Sequence, residues 1–174
     1  LISTQTASSS ATVSFTSGID STYKEYIFRF YNIHPATNNS SFQFQGSTDS
    51  GSSYGVSITS SFFQAYHAED GSATSLSYNT NNDLGNSTSF QIIADTTGNG
   101  DDESASGFLH LFSPSDTTFV KNFIAIDNHS YNGAYSINDF SGGYFNTTSA
   151  INAIQFKMSS GNIDSGTIKL YGVS

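Results

Sequence analysis

The stretch Gly143-Tyr-Phe-Asn-Thr-Thr-Ser-Ala-Ile-Asn-Ala-Ile-Gln-Phe-Lys-Met-Ser-Ser-Gly-Asn-Ile-Asp-Ser-Gly-Thr-Ile-Lys-Leu-Tyr-Gly172 decides the fold class. Ile154, Phe156 and Met158 share one parity, while Gln155 and Lys157 share the other. That is the period of a strand with one buried face. After the turn-rich Ser159 to Gly166 the alternation resumes, with Ile168 and Leu170 opposed to Thr167, Lys169 and Tyr171. Two such runs separated by Ser, Gly, Asn and Asp predict a hairpin with a long loop. A terminal strand this apolar must pair deep in a sheet, because exposed it would template aggregation.

Upstream, the same punctuation recurs. Residues 1–10 are rich in Ser and Thr and read as an arm or linker. Val13 and Phe15 mark a short strand. Tyr23 to His34 carries bulk on both parities and is stopped by Pro35, as expected of a strand covered on two sides. Phe42 and Phe44 open another strand, before a polar loop from Gly46 to Gly55. Val56 to His67 fits a helix or a strand. Thr59-Ser60-Ser61 disfavours a helix interior, so a strand is expected. Asn79 to Asn86 reads as a loop, Phe90 to Ala94 as a strand, Asp95 to Ser106 as a long acidic loop, and Phe108 to Phe112 as a strand. Phe119 to Asp127 shows apolar residues on both faces, Phe119 and Phe123 against Val120, Ile124 and Ile126. Asn128 to Gly143 reads as a polar loop with an Asn132-Gly133 turn. The sum is about nine to eleven short strands with no convincing helix and no fixed-period repeat, which predicts a single-domain antiparallel β-sandwich, jelly-roll-like, over residues 11–174.

Composition narrows the function classes. The chain has 174 residues, with 15 Phe and 10 Tyr to fill a core and only 11% charged residues. The net charge is −9, and the five basic residues, Lys24, Arg29, Lys121, Lys157 and Lys169, are scattered singly. Phosphate backbones need a clustered basic footprint, so nucleic acid is not an expected partner, nor is an anionic membrane. Without cysteine there is no disulfide framework and no thiolate site. No apolar run approaches the ~20 residues of a helical span, so membrane insertion is not expected. No signal peptide is apparent, and the start at Leu1 suggests a processed or truncated piece.

The densest chemistry is Asp95-Thr-Thr-Gly-Asn-Gly-Asp-Asp-Glu103. Asp95, Asn99, Asp101, Asp102 and Glu103 could give a calcium ion six or more oxygens. The spacing is not that of an EF-hand. The plainer reading is a solvated loop, with no cofactor. Glu69-Asp70 and Asp101-Asp102 are adjacent carboxylates whose side chains diverge on a strand, and nothing fixes the separation that glycoside hydrolysis requires. His34, His67, His110 and His129 lack metal-protease spacing, and the Ser-rich stretches lack a nucleophile elbow. No enzyme is expected. Asn39, Asn86, Asn128 and Asn146 begin Asn-x-Ser/Thr triplets of the kind that chance produces in such a composition. Tyr54, Tyr131, Tyr135 and Tyr144 could stack on sugars, or serve as rim or subunit-interface residues, the more ordinary role.

Ile19-Asp-Ser-Thr-Tyr-Lys-Glu-Tyr26, Asn32-Ile-His-Pro-Ala-Thr37, Gly143-Tyr-Phe-Asn-Thr-Thr-Ser149 and Phe156 to Gly172 resemble a domain of structural proteins in marine tailed phages, cyanophages among them. The resemblance spans nearly the whole chain and is densest at its two ends. It implies a virion-surface setting on capsid or tail, as a decoration, head fibre, tail fibre or receptor-binding tip. Its implied partners are other virion proteins, further copies of the chain in a symmetric homo-oligomer, and host-surface glycan. It transfers no catalytic motif. The competing reading is a secreted carbohydrate-binding module with calcium in the acidic loop.

Overall fold

A computed structural model describes residues 1–131 and 133–174, so Asn132 of the expected Asn132-Gly133 turn lies outside the described residues. All regular structure among them is strand: β1 (Ser3–Ser10), β2 (Val13–Phe15), β3 (Glu25–Pro35), β4 (Ser40–Ser47), β5 (Ile58–Ala68), β6 (Thr74–Tyr78), β7 (Gln91–Thr97), β8 (Ala105–Phe112), β9 (Lys121–Tyr131), β10 (Tyr135–Phe145), β11 (Ala153–Met158) and β12 (Ile163–Val173). Every ladder is antiparallel. One sheet has eight strands in the order β1-β12-β3-β8-β9-β10-β5-β6, and the other has four, β2-β11-β4-β7.

The order carries more than the class. If the β9–β10 hairpin and the β12–β1 pair are set aside, eight strands remain: β2, β3, β4, β5, β6, β7, β8 and β11. Numbered in chain order, they run first-eighth-third-sixth in the small sheet and second-seventh-fourth-fifth in the large one. This is the jelly-roll order. The chain is therefore a jelly-roll sandwich with a hairpin inserted between β8 and β5, widening the large sheet.

The core is aromatic. Phe156 of β11 stacks on Phe42 at 5.5 Å between ring centroids and meets Phe28 and Phe15 edge-on at 5.4 and 6.2 Å. Phe44, Phe123 and Phe145 continue the cluster towards the base of the inserted hairpin. Edge-to-face pairs of this kind favour one packing over many, because the ring edge is positive and the face negative.

Four expectations change. Residues 3–10 are not a free arm, because β1 pairs with β12 from Ser3↔Leu170 to Ser10↔Ile163. An edge strand needs only backbone pairing and one inward side chain, here Ala7, so a run of Ser and Thr suffices. β11 and β12 are not a hairpin. β11 sits between β2 and β4 in the small sheet, β12 between β1 and β3 in the large one, so the intervening loop crosses the sandwich. The expected loop from Asn128 to Gly143 is largely strand among the described residues: Asn128 to Tyr131 end β9 and Tyr135 to Gly143 belong to β10, the two strands pairing from Tyr135↔Tyr131 to Phe145↔Lys121. Along β9 the inward residues are Phe123, Ala125, Asp127 and His129, whereas Ile124 faces out and is 47% exposed. The strand expected over Val56 to His67 is present as β5.

Candidate functional site

The inward face of the inserted hairpin grades from apolar to polar. At its base Phe123 and Phe145 join the aromatic core. Towards its tip the same parity brings Asp127 and His129 from β9, and Asp139 and Ile137 from β10. Ladder register places these residues in rows across the large sheet. Gly107, Asp127, Asp139 and Gln64 form one row, contributed by β8, β9, β10 and β5. Ala105, His129, Ile137 and Tyr66 form the next. Gly107 is required where it stands, since a Cβ there would meet the Ile126 carbonyl oxygen at 2.2 Å and Asp127 Cα at 2.7 Å.

Asp127, His129 and Asp139 are 2%, 1% and 0% exposed. His129 Nδ1 is hydrogen-bonded to Asp127 Oδ2 at 2.9 Å. Gln64 Nε2 donates to Asp139 Oδ1 at 2.9 Å, and the Asp95 backbone N–H, from the covering strand β7, donates to Asp139 Oδ2 at 2.7 Å. Two donor or acceptor atoms of the cluster, Asp127 Oδ1 and His129 Nε2, are buried without a hydrogen-bond partner. Thr97 Oγ1 on β7 and Ser141 Oγ on β10 are in the same state. Burial pushes the Asp127 carboxyl up to about 6, the His129 hydrogen bond and charge only partly opposing it. Burial, reinforced by the Asp127 charge, pushes Asp139 up to about 7. For His129 burial acts downward, but the hydrogen bond and charge of Asp127, with the charge of Asp139, outweigh it and leave the imidazole raised.

Over this cluster opens a cleft of about 290 Å³ lined by Gln64, Tyr66, Thr96, Tyr131, Tyr135 and Ile137. Tyr66 and Tyr135 meet edge-on at 5.5 Å, and Tyr131 lies 6.0 Å from Tyr135 at 57°. All three residues are half-buried. Gln64 is shared, lining the cleft with one side and holding Asp139 with the other.

The acidic stretch expected to hold calcium is divided. Asp95 belongs to β7, where its Oδ1 accepts from Ser41 Oγ at 2.9 Å. Asn99 is tied to the preceding turn through Asn38 and the Ala36 carbonyl. The Glu103 carboxylate folds back to accept the Gly100 N–H at 2.6 Å. Asp101, Asp102 and Glu103 do share a shallow depression with Asn32 and His34. Among the described residues, however, the only cluster of three ligating side chains with atoms within 4.8 Å of one another is Asp127, His129 and Asp139. Of the four tyrosines singled out from sequence, Tyr131 and Tyr135 meet in the cleft. Tyr54 lies beside Asn146 and Thr147, past the other end of β10, and Tyr144 lies on β10 opposite Thr59 and Asn122. Tyr66, Gln64, Asp127 and Asp139 are not among the sequence candidates, and His129 enters there only as one of four scattered histidines. Their signal was the Asp127-x-His129 spacing, which puts two polar residues on one face of a strand.

No protein-family model matches the chain, and no curated protein matches it either.

Proposed function

We propose that the chain is a displayed, non-enzymatic jelly-roll domain of a phage virion, on capsid or tail, that works by assembly and by binding host-surface glycan. The observation that carries the adhesive part is the cleft of Tyr66, Tyr131 and Tyr135 with Gln64 and Thr96 at its wall. Saccharides present apolar C–H faces and hydroxyl edges, and half-buried tyrosines beside an amide and a hydroxyl offer a surface for both. The virion setting rests on the resemblance of the Ile19–Tyr26, Asn32–Thr37, Gly143–Ser149 and Phe156–Gly172 stretches. The low charge content and the absence of cysteine accord with it.

Assembly contacts have a surface to use. On the outer face of the large sheet Phe108, Ile126, Phe140, Phe63 and Tyr78 fall in one cross-strand row. Phe63 and Phe140 stack at 4.8 Å with planes 4° apart. Contact with further copies or other virion proteins would cover this stripe. The non-enzymatic reading accords with carboxylates held apart, Asp127 and Asp139 in the interior and Asp101 and Asp102 exposed on a separate loop.

A glycan array tests the binding part. Wild-type chain is expected to retain a defined subset of glycans, with weaker signal for Tyr66→Ala and Tyr135→Ala. An array blank for correctly folded wild type overturns the adhesive reading. The secreted carbohydrate-binding module shares the cleft and differs in setting, so it predicts the same array result but absence of the chain from purified particles.

A further inference from the structure

We propose that Asp127, His129 and Asp139 bind one divalent transition-metal ion, of the zinc or manganese class, inside the sandwich beneath the tyrosine cleft. Three observations carry this. The first is convergence: one ligand atom from each of the three side chains lies within 4.8 Å of the other two. Ligands of a tetrahedral ion bound at about 2.0–2.2 Å sit roughly 3.4 Å apart, so a small carboxylate rotation closes the set. The 2.9 Å between His129 Nδ1 and Asp127 Oδ2 is already near that spacing.

The second observation is unmet polar capacity. Asp127 Oδ1 is buried with no partner, whereas the unpartnered His129 Nε2 lies on the imidazole edge opposite the Nδ1 that meets Asp127 and is not a ligand of the same ion. Buried polar atoms are ordinarily satisfied, and the orphaned Asp127 oxygen faces a second carboxylate with His129 as the one cationic side chain paired at the cluster, which leaves capacity for a further positive partner. Among the described residues no Lys or Arg makes a salt bridge at the cluster.

The third observation is support around the ligands. Asp139 is held on one oxygen by Gln64 and on the other by the Asp95 N–H, which fixes its plane while leaving a lone pair on each oxygen. Outer partners of this kind orient the ligands of protein metal sites. The donor set, one imidazole and two carboxylates, suits first-row ions. Calcium prefers six to eight oxygens, which this site does not supply. Gln64 would separate the ion from the cleft, so the metal would brace the tip of the inserted hairpin, where Tyr131 and Tyr135 stand.

The test uses the full chain, stripped with chelator, desalted, then given Zn²⁺ or Mn²⁺ alone. One equivalent of one of these ions retained after desalting, with a Tm rise of several degrees, is expected. Asp127→Asn and Asp139→Asn should lose both effects, and Asp101→Asn/Asp102→Asn should keep both. Should the triad variants not fold, anomalous scattering from metal-soaked wild-type crystals decides, because a peak between the three side chains supports the site. No retained ion, binding that survives Asp139→Asn in folded protein, or a peak elsewhere would overturn it.

Discussion

Asp127 and Asp139 face one another across the β9–β10 ladder, two carboxylates in register and almost completely buried. With no metal bound, that arrangement sets the sign of the protein's pH response. Both carboxyls titrate higher folded than unfolded, about 6 and about 7 against 3.8, and His129 is raised as well. The folded state therefore binds protons more tightly, and the stability this contributes is lost as pH rises through these values. In chelator, Tm should fall between pH 5 and pH 8 by about 2–8 °C, the shift that ~1–2 kcal/mol gives in a domain of this size. Asp49, held down to about 2 by Ser47 and Ser53, stays ionised throughout that window and does not contribute. The Asp127→Asn/Asp139→Asn variant should show a flatter profile. A wild-type Tm that rises from pH 5 to pH 8 in chelator would contradict this.

Phe156 is the centre of the aromatic core, touching Phe15, Phe28, Phe42 and Phe44. Phe156→Ala should cost about 3–5 kcal/mol by denaturant unfolding, as large-to-small changes at sealed aromatic positions do. Phe119 is 70% exposed, so Phe119→Ser should change stability by less than about 0.5 kcal/mol. Equal effects would mean that the core is misplaced.

Deleting residues 1–10 tests the reassignment of that segment. β1 covers the outer edge of β12, whose Ile163, Ile168 and Leu170 are buried. The truncated chain should melt earlier and self-associate in size-exclusion chromatography, because an apolar strand becomes an open edge. An unchanged melting temperature and elution volume would return residues 1–10 to the role of a free arm.

Tyr66→Ala and Tyr135→Ala should each weaken binding to an array-identified glycan by roughly threefold to tenfold, equivalent to about 0.5–1.5 kcal/mol of ring contact. Tyr144→Ala, outside the cleft, should leave the affinity unchanged. Titration calorimetry with the soluble glycan gives both numbers.

What was legible in the sequence followed from strand periodicity. Ile154-Gln-Phe-Lys-Met158 and Ile168-Lys-Leu170 announced half-buried strands, and Thr59-Ser60-Ser61 argued correctly against a helix in β5. Pairing was not legible, because successive strands of a jelly roll alternate between sheets and a polar loop looks the same whether it turns back or crosses over. The inserted hairpin was hidden for a sharper reason. Its outward face carries Ile124, Ile126 and Phe140, while its inward face mixes Phe123, Ile137 and Phe145 with Asp127, His129 and Asp139, so the hydrophobic pattern does not single out the buried side. The polar part of that inward face is where the candidate site lies. The acidic loop drew attention because its carboxylates are close in sequence, but Asp127 and Asp139 become neighbours only through the β9–β10 register.

Immunogold electron microscopy of virus particles purified from the source of this chain, with antibody raised to the domain, is the decisive test of the proposed virion setting. Gold on the particle surface, at the capsid or at the tail, is the expected result. Particles that carry no gold and contain no peptide of this chain would contradict it.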